Sequence, residues 1–248
     1  MVVDNRGERK PILQGVDIAV RPGECLALVG PSGAGKTTLL RALAAGQGTT
    51  AGTIAVDGRE LDSLNSHGLR ALRTQLGFVH QDHCLIPSLR VSHNVLAGKL
   101  GQRSLLAGAR SMVFPRRADL EQAHALLDDL GIADKLFQRA DRLSGGEAQR
   151  VALARALFQE PRAILADEPV AAVDPARGRD LIERMLELAR RRGLTLIVSL
   201  HDVDMARSFF PRCVGLRAGR VVFDRPTGEL DDADFTELYE LERGSIGA

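Results

Sequence analysis

A chain of 248 residues is long enough, at about 150 residues per domain, to bury a sizeable core, and 44% hydrophobic against 26% charged residues excludes a disordered polymer. The 33 Lys and Arg residues nearly cancel the 32 Asp and Glu residues, so no global field draws the protein to nucleic acid or to an anionic membrane. No apolar run approaches the ~20 residues of a membrane-spanning helix, and the charged start (Asp4, Arg6, Glu8, Arg9) is no secretory signal, so the expected residence is the cytosol.

In chain order, the first strong element is Cys25–Val29, a short apolar run ended by Gly30, the pattern of a strand buried on both faces. Gly30-Pro31-Ser32-Gly33-Ala34-Gly35-Lys36-Thr37 follows at once and leads into a helical run over 38–45. All eight positions match a phosphate-binding loop. Its glycines let backbone N–H groups turn toward a polyphosphate at a helix N-terminus; Lys36 is expected on the β and γ phosphates and the Thr37 hydroxyl on magnesium. Residues 52–58 then read as short antiparallel strand.

The middle of the chain, about 84–143, is helix-rich and carries no buried strand. Leu120, Ala123, Leu126, Leu127 and Leu130 form a helical stripe stopped at Gly131, which predicts a helical insert between sheet strands rather than a separate domain. Residues 99–117, with Gly101, Gly108, Pro115 and four arginines, are expected to be the mobile stretch. Leu85, Ile86, Leu89 and Val91 fit either a groove for a partner helix or the core of the insert. Next comes Leu143-Ser144-Gly145-Gly146-Glu147 before another helix: Ser144 and Glu147 have capping-box spacing, and two glycines at the mouth of a helix open its backbone to an anion. A second anion site on a chain with one phosphate loop suggests a nucleotide shared between two copies.

Ala163-Ile164-Leu165-Ala166 reads as a buried strand whose end carries Asp167 and Glu168. Alone, such a pair is an ordinary solvated turn; beside a phosphate loop, Asp167 can hold magnesium or its water and Glu168 can polarise the attacking water. Leu181, Ile182, Met185, Leu186 and Leu188 line a helix ended by Arg190, Arg191, Arg192 and Gly193, and Thr195-Leu196-Ile197-Val198-Ser199 is the next strand. Strand, helix and strand in that order predict an α/β fold with a parallel sheet and right-handed crossovers. Residues 214–223, turned at Ala218-Gly219, read as antiparallel strands. Cys25, Cys84 and Cys213 are an odd, scattered set without metal-ligand spacing and read as buried or free thiols in a reducing compartment.

The order of phosphate loop, Gln81, Leu-Ser-Gly-Gly-Glu, strand-Asp-Glu and His201 resembles the ATP-binding cassette (ABC) ATPases over roughly 11–240. The resemblance implies a P-loop cassette: a mostly parallel sheet core, a flanking antiparallel β part and a helical insert at about 84–158, in one domain spanning 1–248. It further implies that Gln81, on its own only a surface amide, senses magnesium and the γ phosphate. His201, on its own a strand-end histidine, becomes the switch histidine on the γ phosphate. Ala172-Val173-Asp174 becomes the D-loop. The nucleotide-binding set is then Gly30, Pro31, Ser32, Gly33, Ala34, Gly35, Lys36, Thr37, Thr38, Ser144, Gly145, Gly146 and Asp174. Thr37, Gln81 and Asp167 are the magnesium ligands, and Glu168, His201 and Gln81 are the catalytic groups. In that family two cassettes bind head to tail over ATP, so a homodimer is the economical solution. The family ordinarily opens with a strand and an aromatic residue that stacks on adenine. The first aromatic here is Phe78, so the chain reads as about a strand short at its front. Glu147 stands where the family more often has glutamine.

Several stretches, among them Asn94-Val95-Leu96-Ala97-Gly98, Arg139-Ala140-Asp141-Arg142 and the ending 235–239, resemble the ATP-binding subunits of phosphonate importers. This implies an ATPase at the cytoplasmic face of the inner membrane, peripheral to separate permease subunits and served by a periplasmic solute-binding protein, with ATP and Mg2+ as cofactors and no nucleic acid. The alternatives are an importer ATPase for phosphate, phosphite or another small solute, and a soluble cassette partner of a phosphonate-degrading enzyme complex.

Overall fold

The computed structural model describes residues 2–3, 9–171 and 174–239, with side chains from residue 11 onward. Strand β1 (Val2–Val3) pairs antiparallel with β2 (Arg9–Lys10). Then come β3 (Cys25–Val29), α1 (Lys36–Leu43), the hairpin β4 (Ala55–Val56) and β5 (Arg59–Glu60), α2 (Ser66–Arg73) and β6 (Leu76–Val79). Four helices follow without a strand between them: α3 (Val91–Leu96), α4 (Leu105–Val113), α5 (Arg117–Asp129) and α6 (Gly145–Phe158). The chain closes with β7 (Ala163–Asp167), α7 (Pro175–Arg192), β8 (Thr195–Leu200), α8 (Val203–Phe209), β9 (Arg212–Arg217), β10 (Arg220–Pro226) and α9 (Asp232–Tyr239).

The main sheet runs β10-β9-β3-β8-β7-β6, parallel throughout except for the antiparallel edge strand β10. Its strands read as unbroken apolar runs because both faces are covered. In β3, Cys25, Ala27 and Val29 face the larger core with the insert helices, while Leu26 and Leu28 face a smaller core against α1. The period-2 alternation recurs in β8, where Leu196, Val198 and Leu200 take the first side and Ile197 the second. Phe158, fully buried at the end of α6, is the bulkiest of the wholly enclosed side chains and ties the insert to the sheet.

Local signals account for the helix ends. Asp174 caps α7 by accepting from the amides of Ala176 (3.1 Å) and Arg177 (3.2 Å), Pro175 occupies the first turn, and Gly193 closes it in the left-handed conformation after three arginines. Arg191 and Arg192 in turn hold Asp129 of α5 at 2.7 and 3.3 Å. The short strand expected over 52–58 is confined to Ala55–Val56, with Asp57 and Gly58 as the two-residue turn. Within residues 99–117, Leu105–Val113 is helical, started by Ser104, whose side chain accepts from the Ala107 amide. Gly108, read as a loop signal, is buried there and packs close to Leu100, where any Cβ would crowd it.

Candidate active site

Every parallel strand of the sheet delivers its carboxyl end to one edge, and that edge collects the chemistry. Val29 leads into the phosphate loop, Val79 into His80 and Gln81, Asp167 into Glu168, and Leu200 into His201. The pairings Val79↔Ala166 and Asp167↔Ser199 bring the ends of β6, β7 and β8 level.

The loop of residues 30–37 curls because Gly30, Gly33 and Gly35 adopt φ of 150°, 79° and 105°, conformations that L side chains rarely reach. Gly30 is also sterically required, since a Cβ there would lie 2.0 Å from the carbonyl oxygen of Leu216. The amide of Ala34 donates to the Pro31 carbonyl (3.2 Å), and Gly219, at the tip of the β9–β10 hairpin, donates to the carbonyl of Ala34 (2.9 Å). Helix α1 has Gly35 as its N-cap, with no side-chain cap and no acid in its first turn, leaving its N-terminal amides open to an anion. Ser32 and Gly33 are exposed, whereas Ala34, Gly35 and Lys36 are buried and Pro31, Thr37 and Thr38 half-buried.

Lys36 is only 4% exposed, and its ammonium donates to the carbonyls of Gly30 (2.7 Å) and Pro31 (3.1 Å). Burial lowers its pKa, opposed by the nearby charges of Glu168 and Asp167. The Glu168 carboxylate stands 4.0 Å away, at the limit of an ion pair, so the buried cation is held mainly by carbonyl dipoles and is suited to a stronger anion. Beside it, Asp167 Oδ1 accepts from Thr37 Oγ1 (3.1 Å) and Ser199 Oγ (2.9 Å), and the Ser199 hydroxyl accepts from the Glu168 amide (2.9 Å). Glu168 has a left-handed backbone (φ 48°), strain of the kind found at functional sites, and its Oε1 lies 2.5 Å from His201 Nε2.

The structure thus gathers these residues at one edge through pairwise contacts: Thr37 with Asp167, His201 with Glu168, and the Lys36 ammonium 4.0 Å from Glu168. Gln81 stands at the same edge, exposed, its carbonyl 3.1 Å from His83 Nδ1. Two contributors have no sequence motif. Ser199 links Asp167 to the Glu168 backbone, and Tyr239, the sole tyrosine, accepts from the Gly30 amide (3.2 Å) while donating to the His201 carbonyl (3.3 Å). A serine in the largely apolar strand β8 is the one hint of Ser199, and nothing local to α9 points to Tyr239.

Ser144 begins α6 and forms the expected capping box. Its Oγ accepts from the Glu147 amide (3.4 Å) and donates to Glu147 Oε2 (2.9 Å), which also accepts from the Ser144 amide (2.8 Å). Lys135 pairs with Glu147 at 3.4 Å. The hydrogen bond from the Ser144 amide, foremost, holds the Glu147 carboxyl below its usual range. Among the described residues, no hydrogen bond or ion pair joins Ser144, Gly145, Gly146 or Glu147 to the loop of residues 30–37. Asp174 is explained within α7 as its cap and as the partner of Arg177 (3.2 Å); Ala172 and Val173 lie outside the described residues.

Of the four apolar residues offered as groove or core, Val91 is fully buried and Leu85, half-buried, packs against the same core, while Leu89 is half-buried and Ile86 is 50% exposed. A separate groove of about 500 Å³ runs between the sheet and the insert, lined by Arg70, Arg73, Phe78, His80, Gly98 and Arg155 among others. No helix of the described residues is long and apolar enough to cross a membrane.

The profile of the ABC transporter family matches residues 13–171. The chain is 46% identical over 231 residues to the phosphonates import ATP-binding protein PhnC 2 of Pseudomonas aeruginosa, covering 93% of this chain and 86% of that protein. It is equally identical over 234 residues to a phosphonates import ATP-binding protein of Anaeromyxobacter dehalogenans, of which it spans 46% of the length. Among solved structures, a dimeric ATP-binding cassette in a post-hydrolysis state with ADP and Pi aligns with a TM-score of 0.70 at 30% identity, over 87% of this chain and 90% of that one. The cbiO1 component of the Clostridium perfringens transporter complex cbiONQ aligns at 0.77 and 26%, over 88% and 83%. With its phosphate loop, acidic strand end and histidine joined at one sheet edge, the chain belongs to the ABC transporter family.

Proposed function

We propose that this chain is the ATP-hydrolysing subunit of a phosphonate importer, a single unit over 1–248 with a helical insert at about 84–158. It works as one of a pair of cassettes on the cytoplasmic face of the inner membrane. The observation that carries the reading is the junction of Glu168 with His201 at 2.5 Å, set 4.0 Å from the buried Lys36 ammonium beside the Thr37–Asp167 pair. The names of the similar proteins support phosphonates as the cargo, since no residue of this site would touch it.

Lys36 exchanges its carbonyl partners for the β and γ phosphates of ATP, which sit on the open amides of residues 33–37 and Thr38. Thr37 and Asp167, already hydrogen-bonded, and Gln81 offer hard oxygen donors that suit Mg2+. When bound, that ion would neutralise charge between the phosphates. Glu168 accepts a proton from the attacking water as its oxygen bonds to the γ phosphorus and the bond to the β–γ bridging oxygen breaks. His201, now on Glu168, turns to the γ phosphate, and Tyr239 keeps its backbone in place.

The dimeric cassettes among the similar structures support closure of Ser144, Gly145, Gly146 and Asp174 over the nucleotide held by the partner copy. Gain and loss of the γ phosphate then drive closing and opening. The groove beside Arg155 and Gly98 suits a cytoplasmic helix of the permease, and a periplasmic solute-binding protein delivers the cargo to that permease. The test is Glu168→Gln: ATP binding is retained and hydrolysis lost, whereas unaltered turnover would remove Glu168 from its role.

A further inference from the structure

Immediately past β6, the segment His80-Gln81-Asp82-His83-Cys84 folds back on itself. In an extended chain His80 and Cys84 would stand about 13 Å apart. Here one ligand atom from each of His80, Asp82 and Cys84 lies within 4.8 Å of the other two, and the Cys84 thiol donates to Asp82 Oδ1 at 3.1 Å. The fold-back depends on two successive left-handed residues, His83 (φ 60°) and Cys84 (φ 47°), neither of them glycine. Arg155 of α6 fixes both, donating to the His83 carbonyl (2.7 Å) and the Cys84 carbonyl (2.6 Å), and the Cys84 amide donates to the Asp82 carbonyl (2.6 Å). Phe78 supports the His80 ring at a centroid distance of 4.4 Å. A strained turn, buttressed by a guanidinium from another helix, therefore gathers a nitrogen, an oxygen and a sulfur donor at a solvent-facing position.

We propose that His80, Asp82 and Cys84 form a binding site for a borderline-soft divalent cation, with Zn2+ as the best fit. A thiolate, an imidazole and a carboxylate make a mixed set that Mg2+ disfavours and Zn2+ accepts, with three protein ligands and a fourth position left to water. On binding, the Cys84 sulfur exchanges its proton for the metal and the proton passes to solvent. The site is separate from Thr37 and Asp167, which offer only oxygen. Gln81 lies between the first two ligands, so an ion there fixes the backbone that carries it; this consequence, unlike the site, rests on the role proposed for Gln81.

The experiment titrates the full chain with Zn2+ against a chromophoric chelator and with Co2+ by absorption, comparing wild type, Cys84→Ser and His80→Ala. Wild type binds one ion per chain with a thiolate-to-cobalt charge-transfer band. Cys84→Ser loses the band, and both variants bind Zn2+ more than about tenfold more weakly. Unchanged ADP affinity in Cys84→Ser shows that the exposed substitution leaves the fold intact. Absence of stoichiometric binding in wild type, or equal binding by Cys84→Ser, overturns the site. ATPase assays in excess Mg2+ read the consequence: stoichiometric Zn2+ slows wild type and spares Cys84→Ser. Binding without any change in turnover overturns the effect on Gln81 and leaves the site standing.

Discussion

Tyr239→Phe removes a single oxygen from the carboxyl-terminal helix, and its effects should reach the phosphate loop. The ring and its packing survive, so the loss is confined to two hydrogen bonds, from the Gly30 amide at 3.2 Å and to the His201 carbonyl at 3.3 Å. A typical hydrogen bond contributes about 1 kcal/mol net, and a buried amide left unpaired costs about 1–3 kcal/mol. Gly30 is buried, so the expected loss is about 2 kcal/mol. With an m value of roughly 3 kcal/mol/M, the urea midpoint falls by about 0.7 M. If half of that energy is felt at the γ-phosphate position between Gly30 and His201, kcat/KM falls about fivefold. Leu238→Ala is the control: it empties a fully buried contact of the same helix, lowering the midpoint while sparing kcat/KM of the folded protein. Should Tyr239→Phe match the wild type in both midpoint and kcat/KM, or should Leu238→Ala lower kcat/KM equally, the coupling of α9 to the site is refuted.

Gly30→Ala places a Cβ against the Leu216 carbonyl at 2.0 Å in a conformation foreign to L residues, so it should cost about 3 kcal/mol and abolish binding of a fluorescent ATP analogue; wild-type affinity would show that the loop can yield there. Glu147 has a folded-state pKa below its ordinary 4.5, so its contribution is present above that value and lost as the pH falls through the lower folded value. Glu147→Gln keeps the cap geometry without the charge. The gap in unfolding free energy between wild type and variant should therefore be largest near neutral pH and close in acid, and a gap independent of pH would remove the carboxylate from the cap.

What could be read before folding was whatever is local or periodic. The phosphate loop and capping box are contiguous patterns whose chemistry lies within a few residues, and the strands over 25–29, 163–167 and 195–200 announce themselves because burial on both faces demands unbroken apolar runs. Within residues 99–117 the glycines read as breaks, yet Gly108 lies buried in a helix close to the Leu100 side chain, a setting that only the neighbour creates.

Sequence by itself announced the strands buried on both faces and the order of the motifs, and it marked Lys36 and Thr37 at the mouth of a helix and Asp167 and Glu168 at the end of a strand as candidates. Tertiary structure alone decided which distant groups meet. Ser199 reaches Asp167 through strand register, Tyr239 reaches Gly30 across more than two hundred residues, and Cys84 turns back toward His80 because Arg155 holds its carbonyl. Those contacts follow from sheet order and helix docking, in which energy accrues from packing across the whole core and leaves no trace in local spacing.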